Sequence, residues 1–265
     1  MIKTSLEKTL LIIKQNKLKV FFIFFLQIIF FIALSLIVYN TIIPSMQYAK
    51  EAMDYYDKIN VTEDTGMFGY LGENPLVIYQ SYKNMMYYLK MMVLYSVLAF
   101  IVINGLIWAI TDNLINKKNR KQFLHYLTNF GILTIIFIAI LYLTIFKTLK
   151  SSLVDIGNSL LPFVGILILF IVLIYFLFIG LALIDKRKPK EIPKLILKIG
   201  ILKFPYVILT YLINFAIILL LSYLIFLTIE SNMILLSIIL ILFVLSFVFT
   251  RLFLIISINN LTKKI

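Results

Sequence analysis

Cysteine is absent from this chain of 265 residues, and histidine and tryptophan occur once each. Without cysteine there is no disulfide framework, no thiolate metal site and no thiol nucleophile. His125 has no nearby Cys, His or acidic partner in the sequence, so it is a poor metal ligand or general base, and we interpret it as an interfacial side chain. Sequence motifs of zinc proteases, serine hydrolases, P-loop NTPases and dinucleotide-binding enzymes are missing. The sequence therefore predicts a protein that is not an enzyme and that holds no cofactor or metal.

Charged residues are scarce as well. They make up 14% of the chain, whereas 62% is hydrophobic and the mean hydropathy is +1.04. A soluble domain of this size has no core large enough for so much apolar surface, so the composition predicts an integral membrane protein. The formal net charge of +13 would favour a nucleic-acid partner in a soluble protein, but here the basic residues flank apolar runs. We therefore expect no nucleic-acid partner.

Six apolar runs are long enough to cross a bilayer as helices, since about 20 residues cover a hydrocarbon core of roughly 30 Å. The runs are continuous, whereas the strands of a membrane β-barrel alternate polar and apolar residues. The first run is too long for a signal peptide and has no cleavage site after it, so we interpret it as a retained helix. The sequence predicts an all-α fold with one membrane domain over residues 1–265 and spans near 20–43, 91–111, 123–146, 160–184, 204–229 and 233–258.

The basic residues indicate how these spans are oriented. Nineteen Lys and Arg residues, with only four acids, fall before the first span, between the second and third and the fourth and fifth, and at the C-terminal end, where Arg251 near the inner end of the sixth span is counted. The other side holds six basic and eight acidic residues. By the positive-inside rule, both termini of a multi-pass protein of the cell membrane are predicted to be cytoplasmic.

Short basic segments precede each outward-going span on the cytoplasmic side, the first at residues 1–19. Apolar residues recur in them at helical spacing, as expected for helices that lie in the headgroup layer and contact anionic lipid headgroups. These predicted interfacial residues are Leu6, Leu10, Ile13 and Leu18; Phe123, Leu124 and Leu127; and Ile192, Leu195, Ile199 and Leu202.

With basic cytoplasmic helices over 6–19, 117–127 and 192–203, each leading into a helical hairpin, the chain resembles uncharacterised six-helix membrane proteins of bacteria and archaea. The membrane domain of some glycerophosphodiester phosphodiesterases has a similar layout. The resemblance implies an architecture only. Because it rests on no motif, it carries no activity and no functional residue to this chain.

Polar side chains inside the spans are the candidates for an internal site. Asn104 and Asn214 are the best candidates for a polar centre in the bundle. An amide inside a membrane forms hydrogen bonds with another helix, which serve either helix packing or ligand binding, and we favour packing. Arg251 lies about 27 Å along the sixth span from Met233, near the inner boundary. We interpret it as an interfacial anchor that snorkels to the headgroups, with an intramembrane ligand contact as the alternative.

The segment 44–90 differs from the rest of the chain. Between residues 44 and 95 lie seven of the nine Met and nine of the sixteen Tyr. Such a predicted extracellular cap is either a docking surface, because Met and Tyr adapt well to partners, or an outer aromatic belt, which we favour. The candidate contact residues are Met46, Met53, Tyr56, Tyr79, Tyr82 and Met86, and Asn60 is a candidate glycosylation site. Asn74 and Pro75 predict the start of a helix that leads into the second span.

Two functions fit these features best, and a membrane-embedded enzyme, which would need a catalytic His, Asp or Glu facing a cavity, is the third alternative. The first is a non-enzymatic scaffold or accessory subunit of a membrane complex, in which the cap and the interfacial helices contact lipid and a membrane-protein partner. The second is a small transporter or permease component for a hydrophobic or lipid-like solute, with Asn104 and Asn214 along its path.

Overall fold

A computed structural model of the protein describes residues 2–57, 75–116, 119–152, 160–184, 191–230 and 233–262. These residues form α-helices and one short π-helical turn, Phe100–Asn104. In chain order the helices are α1 (Ile2–Gln15), α2 (Lys17–Asp57), α3 (Pro75–Ala99), α4 (Gly105–Asn116), α5 (Arg120–Ser152), α6 (Leu160–Leu183), α7 (Ile192–Leu202), α8 (Phe204–Thr228) and α9 (Met233–Thr262).

Six stretches of helix are long and apolar enough to cross a membrane, which confirms the predicted all-α, multi-pass architecture. They are Lys17–Asp54, Leu76–Asn116, Arg120–Thr144, Val164–Leu183, Phe204–Thr228 and Met233–Thr262. Many apolar side chains of these helices lie outside the core and are exposed, among them Leu167, Leu220 and Ile234. Apolar surface of this extent needs hydrocarbon around it.

The helix that contains the first predicted span, α2, extends beyond the predicted end of that span. A boundary was expected between residue 43 and Pro44, but α2 continues through Pro44 to Asp57. Proline removes one backbone hydrogen bond and bends a helix, yet helices continue through it where nearby side chains compensate. In the turn before Pro44, Thr41 Oγ1 donates to Ile37 O at 2.6 Å and Asn40 Nδ2 donates to Leu36 O at 2.8 Å.

Two of the three predicted interfacial segments are separate helices, α1 and α7. The third is not, because Phe123, Leu124 and Leu127 belong to the first turns of the continuous helix α5. Helix-forming residues run without a break from Arg120 into the span, so nothing in this stretch ends a helix.

The segment around α1 leaves predicted lipid-facing side chains exposed, as expected, whereas α7 buries two of them. Helix α1 packs through Ser5, Thr9 and Ile12, while Leu10 is exposed, as is Leu18 at the start of α2. Ser5 Oγ accepts a hydrogen bond from Asn260 Nδ2 of α9 at 2.9 Å. In α7, two of the predicted lipid-facing residues, Ile192 and Ile199, are instead buried.

The α7 contact depends on a glycine and two tyrosines. Tyr175 OH of α6 donates to Gly200 O at 2.8 Å, and Tyr211 OH of α8 donates to Tyr175 O at 2.9 Å. A Cβ on Gly200 would lie 2.6 Å from a ring carbon of Phe176, so only glycine allows this approach.

The chain divides into two compact units, the first comprising Met1–Gln27 and Asn104–Ile265 and the second Ile28–Ile103. The predicted single membrane domain over 1–265 stays a prediction. In the first unit, burial concentrates at the helix ends that the charge pattern predicts to be cytoplasmic, and all side chains from Thr250 to Asn259 of α9 are buried.

The second unit pairs the later part of α2 with α3. Ser45 Oγ donates to Met85 O at 3.4 Å, and Ser81 Oγ donates to Glu51 Oε2 at 3.5 Å. The rings of Tyr48 and Tyr88 stack with centroids 5.9 Å apart. Because 45 is next to 85 and 51 is next to 81, the two helices run antiparallel as a hairpin.

Candidate functional site

A buried cation is the most unusual feature of the first unit. Arg251 of α9 is 8% exposed. Its Nη2 donates to Gln27 Oε1 of α2 at 3.0 Å and to Asn104 Oδ1 at 3.3 Å, and its guanidinium carbon lies 5.5 Å from the centroid of the Trp108 ring. We call Arg251, Gln27, Asn104 and Trp108 the Arg251 centre.

Four parts of the chain position this centre. Gln27 is 2% exposed and lies one helical turn after the fully buried Ile23. Asn104 is the last residue of the π-helical turn, and Trp108 follows it by four residues, so both point to the same side of the helix. Turns of π-helix are rare and occur often at functional sites. The arrangement therefore combines a buried charge with a local departure from α-helical geometry.

The groups that contact the charged guanidinium of Arg251 are neutral. Among the residues that the structure describes, no carboxylate lies within ion-pair distance of its guanidinium, and Nη1 is buried without a hydrogen-bond partner. Removal of one ion from water costs several kcal/mol, which amide hydrogen bonds and a cation–π contact offset only in part. Charged side chains inside a membrane protein are rare for this reason and mark functional sites.

Asp112 is the acid that shares this side of the helix. It lies four residues beyond Trp108 in α4 and is 2% exposed. Its Oδ1 accepts a hydrogen bond from Asn116 Nδ2 at 2.9 Å. The second span was predicted to end at residue 111, which placed Asp112 in the following loop, so this buried acid was missed.

The two predicted asparagines have different partners. Asn104 contacts the guanidinium, whereas Asn214 Nδ2 of α8 donates to the backbone oxygen of Thr250 at 3.2 Å. Both bonds reach α9 at adjacent residues, 250 and 251. Asn214 thus links α8 to α9 by a hydrogen bond. Of the two asparagines, Asn104 alone belongs to the Arg251 centre. A ligand role for either stays a prediction.

The prediction for Arg251 was wrong. It was expected to snorkel to the headgroups, but its side chain is enclosed by protein. Arg251 lies in the C-terminal half of α9, which begins at Met233 and continues to Thr262. The sequence alone did not indicate that α1, α4 and α6 surround the last three turns of α9.

An apolar groove lies elsewhere in the first unit. Its volume is about 230 Å³, and its lining residues include Ile13, Val20, Ile217, Ser246 and Phe249. Neither Asn104 nor Asn214 lines it, so it does not extend the Arg251 centre.

Most of the predicted outer contact residues are exposed. Met46 and Met53 on α2 are 66% and 69% exposed, and Tyr79 and Tyr82 on α3 are 62% and 54% exposed. Met86 is half-buried. The side chain of Tyr56 and the candidate glycosylation site Asn60 lie outside the described residues.

His125 is exposed near the start of α5, and its Nε2 lies 3.0 Å from Asn129 Nδ2. In the described part of the chain, no three His, Asp or Glu residues are grouped closely enough to hold a metal ion.

No protein-family model matches this chain, and no curated protein or solved structure matches it either. The layout resemblance noted above therefore receives no support from these comparisons.

Proposed function

We propose that this protein is a non-enzymatic, multi-pass protein of the cell membrane that acts as a scaffold or accessory subunit of a membrane complex. Both termini are cytoplasmic in this proposal, which follows the charge pattern. The observation that carries it is the α2 and α3 hairpin of the second unit, because its helices are longer than a bilayer requires and its exposed side chains suit protein contact.

The length of α2 is the first argument. Met53 lies 33 residues beyond Val20, which corresponds to about 50 Å of helix. The hydrocarbon core and one headgroup layer together span about 36 Å. A helix along the membrane normal thus carries Met53 well past the headgroup layer, where an aromatic belt has no role.

The side chains of the hairpin are the second argument. Met46 and Met53 are seven residues apart and share one side of α2, while Tyr79 and Tyr82 share one side of α3. Glu51 meets Ser81, so Met53 and Tyr79 lie at nearly the same height on the hairpin. Exposed Met and Tyr provide adaptable contact area with little loss of conformational entropy, which favours a protein partner.

Helices α1 and α7 are proposed to hold the chain on the cytoplasmic headgroup layer. In α1 the exposed side chains include Leu10 and the lysines at 3, 8 and 14, and the start of α2 adds Leu18 and the lysines at 17 and 19. In α7 it carries Leu197, Ile201, Lys194 and Lys198. Apolar side chains beside lysines fit a surface of anionic lipid.

Site-specific photocrosslinking in intact cells tests the scaffold proposal. A photoreactive residue at Met53 or Tyr79 should give a discrete adduct with one membrane protein, and Met53→Glu should abolish co-purification of that protein. The matched control is Leu220, which is 60% exposed in the middle of α8 and should contact only lipid. The absence of adducts at both hairpin positions, with efficient labelling by lipid at Leu220, contradicts the proposal.

The Arg251 centre favours a second function, a small transporter or permease component for a lipid-like solute. In that case Asn104→Leu should lower the flux of the solute in proteoliposomes at least tenfold. Unchanged flux with both Asn104→Leu and Asn214→Leu in place excludes it.

A further inference from the structure

We infer that the Arg251 centre binds the anionic head of an amphiphile, a carboxylate or phosphate group attached to an apolar chain. The inference does not rest on the scaffold proposal, since the site lies within the first unit and its test needs the purified chain alone.

The hydrogen-bonding groups that remain at the centre are donors. Arginine has five N–H donors and no acceptor, and Nη2 uses its two on Gln27 and Asn104. Nη1 is buried and unpartnered among the described residues. Gln27 and Asn104 turn their oxygens to Arg251 and therefore act as acceptors at this centre. A group rich in acceptors completes such a centre.

The charge points to the same class of ligand. The guanidinium is positive, its two hydrogen-bond acceptors are neutral, and no described carboxylate pairs with it. Asp112, whose Oδ1 is bonded by Asn116, lies one further turn along α4 and leaves the donors of Arg251 unfilled. Guanidinium groups bind carboxylates and phosphates through two parallel hydrogen bonds, and they do so most strongly away from water.

The surroundings select an amphiphile over a free ion. Arg251 belongs to a 30-residue apolar helix, and Ile23, Ile107 and Ile255 on the flanking turns are fully buried. The residue as a whole is 8% exposed, while Nη1 itself is buried, so a ligand must displace neighbouring apolar side chains to reach it. An ion in water would lose its hydration to enter, whereas the apolar chain of an amphiphile gains from this environment.

The only tryptophan of the chain reports on this site. Trp108 is 2% exposed and its ring faces the guanidinium, so a bound anion changes its fluorescence. The protein is purified in dodecyl maltoside, which is itself a neutral amphiphile with a twelve-carbon chain. It is titrated with dodecyl phosphate, with laurate and with inorganic phosphate.

We expect dodecyl phosphate or laurate to give a saturable change in Trp108 fluorescence, with half-saturation at least tenfold higher in Arg251→Gln. Arg120→Gln is the matched control, because Arg120 is exposed at the start of α5 and is not among the residues that contact Arg251. Arg251→Lys keeps the charge but loses the planar fork, so its half-saturation should rise at least threefold. It serves as the second variant if Arg251→Gln does not fold.

Equal half-saturation in the wild type and in whichever Arg251 variant folds overturns the inference. A response to inorganic phosphate at the concentration that saturates with dodecyl phosphate shows that a free ion is bound and overturns the assignment of an amphiphile. No saturable response of the wild type to either anionic amphiphile overturns it as well, and identifies Arg251 as a structural residue.

Discussion

Replacement of Gln27 is predicted to destabilise the protein more than removal of the charge that Gln27 contacts. Gln27→Leu deletes the hydrogen bond of 3.0 Å to Nη2 and leaves the buried guanidinium with one acceptor instead of two. A hydrogen bond to a charged group contributes about 1.5–3 kcal/mol. Since a change of 1 kcal/mol shifts the Tm of a chain of this size by about 2–4 °C, we expect Gln27→Leu to lower the Tm by about 3–12 °C.

Arg251→Met should cost less, although it removes both hydrogen bonds and the cation–π contact. Methionine has similar length and needs no counter-charge, and replacement of a buried ion by an apolar side chain is often neutral or stabilising. Gln27 and Asn104 lose their shared donor, but both are neutral amides, so no charge is left without a partner. We expect the Tm of Arg251→Met to stay within about 3 °C of the wild type.

The double variant completes the comparison. Once Arg251 is replaced by methionine, Gln27→Leu no longer removes a hydrogen bond to a charged group. The stability of the double variant should therefore match that of Arg251→Met alone within about 1 kcal/mol. Thermal unfolding in dodecyl maltoside, followed by circular dichroism, measures all three variants, with Arg120→Met as the exposed control. If Arg251→Met loses more than Gln27→Leu, or if the two effects add, Arg251 is a net stabilising residue and the reasoning fails.

Three further predictions concern the rest of the fold. Gly200→Ala should lower the stability by about 2–3 kcal/mol, because its Cβ meets Phe176 at 2.6 Å, whereas Gly165→Ala, with no atom within 4 Å, should be neutral or stabilising by about 0.5–1 kcal/mol; chemical denaturation compares the two. Tyr126→Phe should cost about 1 kcal/mol in the same assay, because it removes the bond of 3.0 Å from Tyr126 OH to Leu181 O, and an unchanged midpoint would contradict that bond. Because the chain has no cysteine, single cysteines are clean topology probes: in intact cells an impermeant maleimide should label Met53→Cys and spare Lys8→Cys and Arg120→Cys, and the reverse pattern refutes the orientation.

The six long helices were predictable because hydrophobicity and length alone define them. A run of about 20 apolar residues has few alternatives to a helix in a bilayer, where every backbone group needs an internal partner. The same reasoning placed the start of α3 at Pro75, since proline fits the first turn of a helix. It failed at Pro44, because the sequence alone did not show that α2 stays helical across a proline.

The faces of the short helices were less predictable. In α7 the spacing of Ile192, Leu195, Ile199 and Leu202 indicated one apolar side, but the structure buries Ile196 together with Ile192 and Ile199 and leaves Leu202 exposed. A helix that is apolar on most sides gives no unique answer, because protein and lipid both accept apolar side chains.

The candidate site shows the same limit. Asn104 was recognisable as a polar residue within an apolar run, and so was Gln27. Arg251 was assigned to the headgroup layer because depth along a helix can be counted, whereas the helices that surround its end cannot. The link between Arg251, Gln27 and Asn104 joins residues 147 and 224 positions apart, which no local pattern encodes.

The positive charge of Arg251 is proposed to serve a ligand. Mass spectrometry of amphiphiles that co-purify with the protein from its own membrane in neutral detergent tests this directly, with Arg251→Gln and Arg120→Gln prepared in parallel. We predict that the wild type and Arg120→Gln retain the same anionic amphiphile at about one molecule per chain and that Arg251→Gln, while folded, has lost it. The same amphiphiles in equal amounts in all three preparations would contradict this central claim.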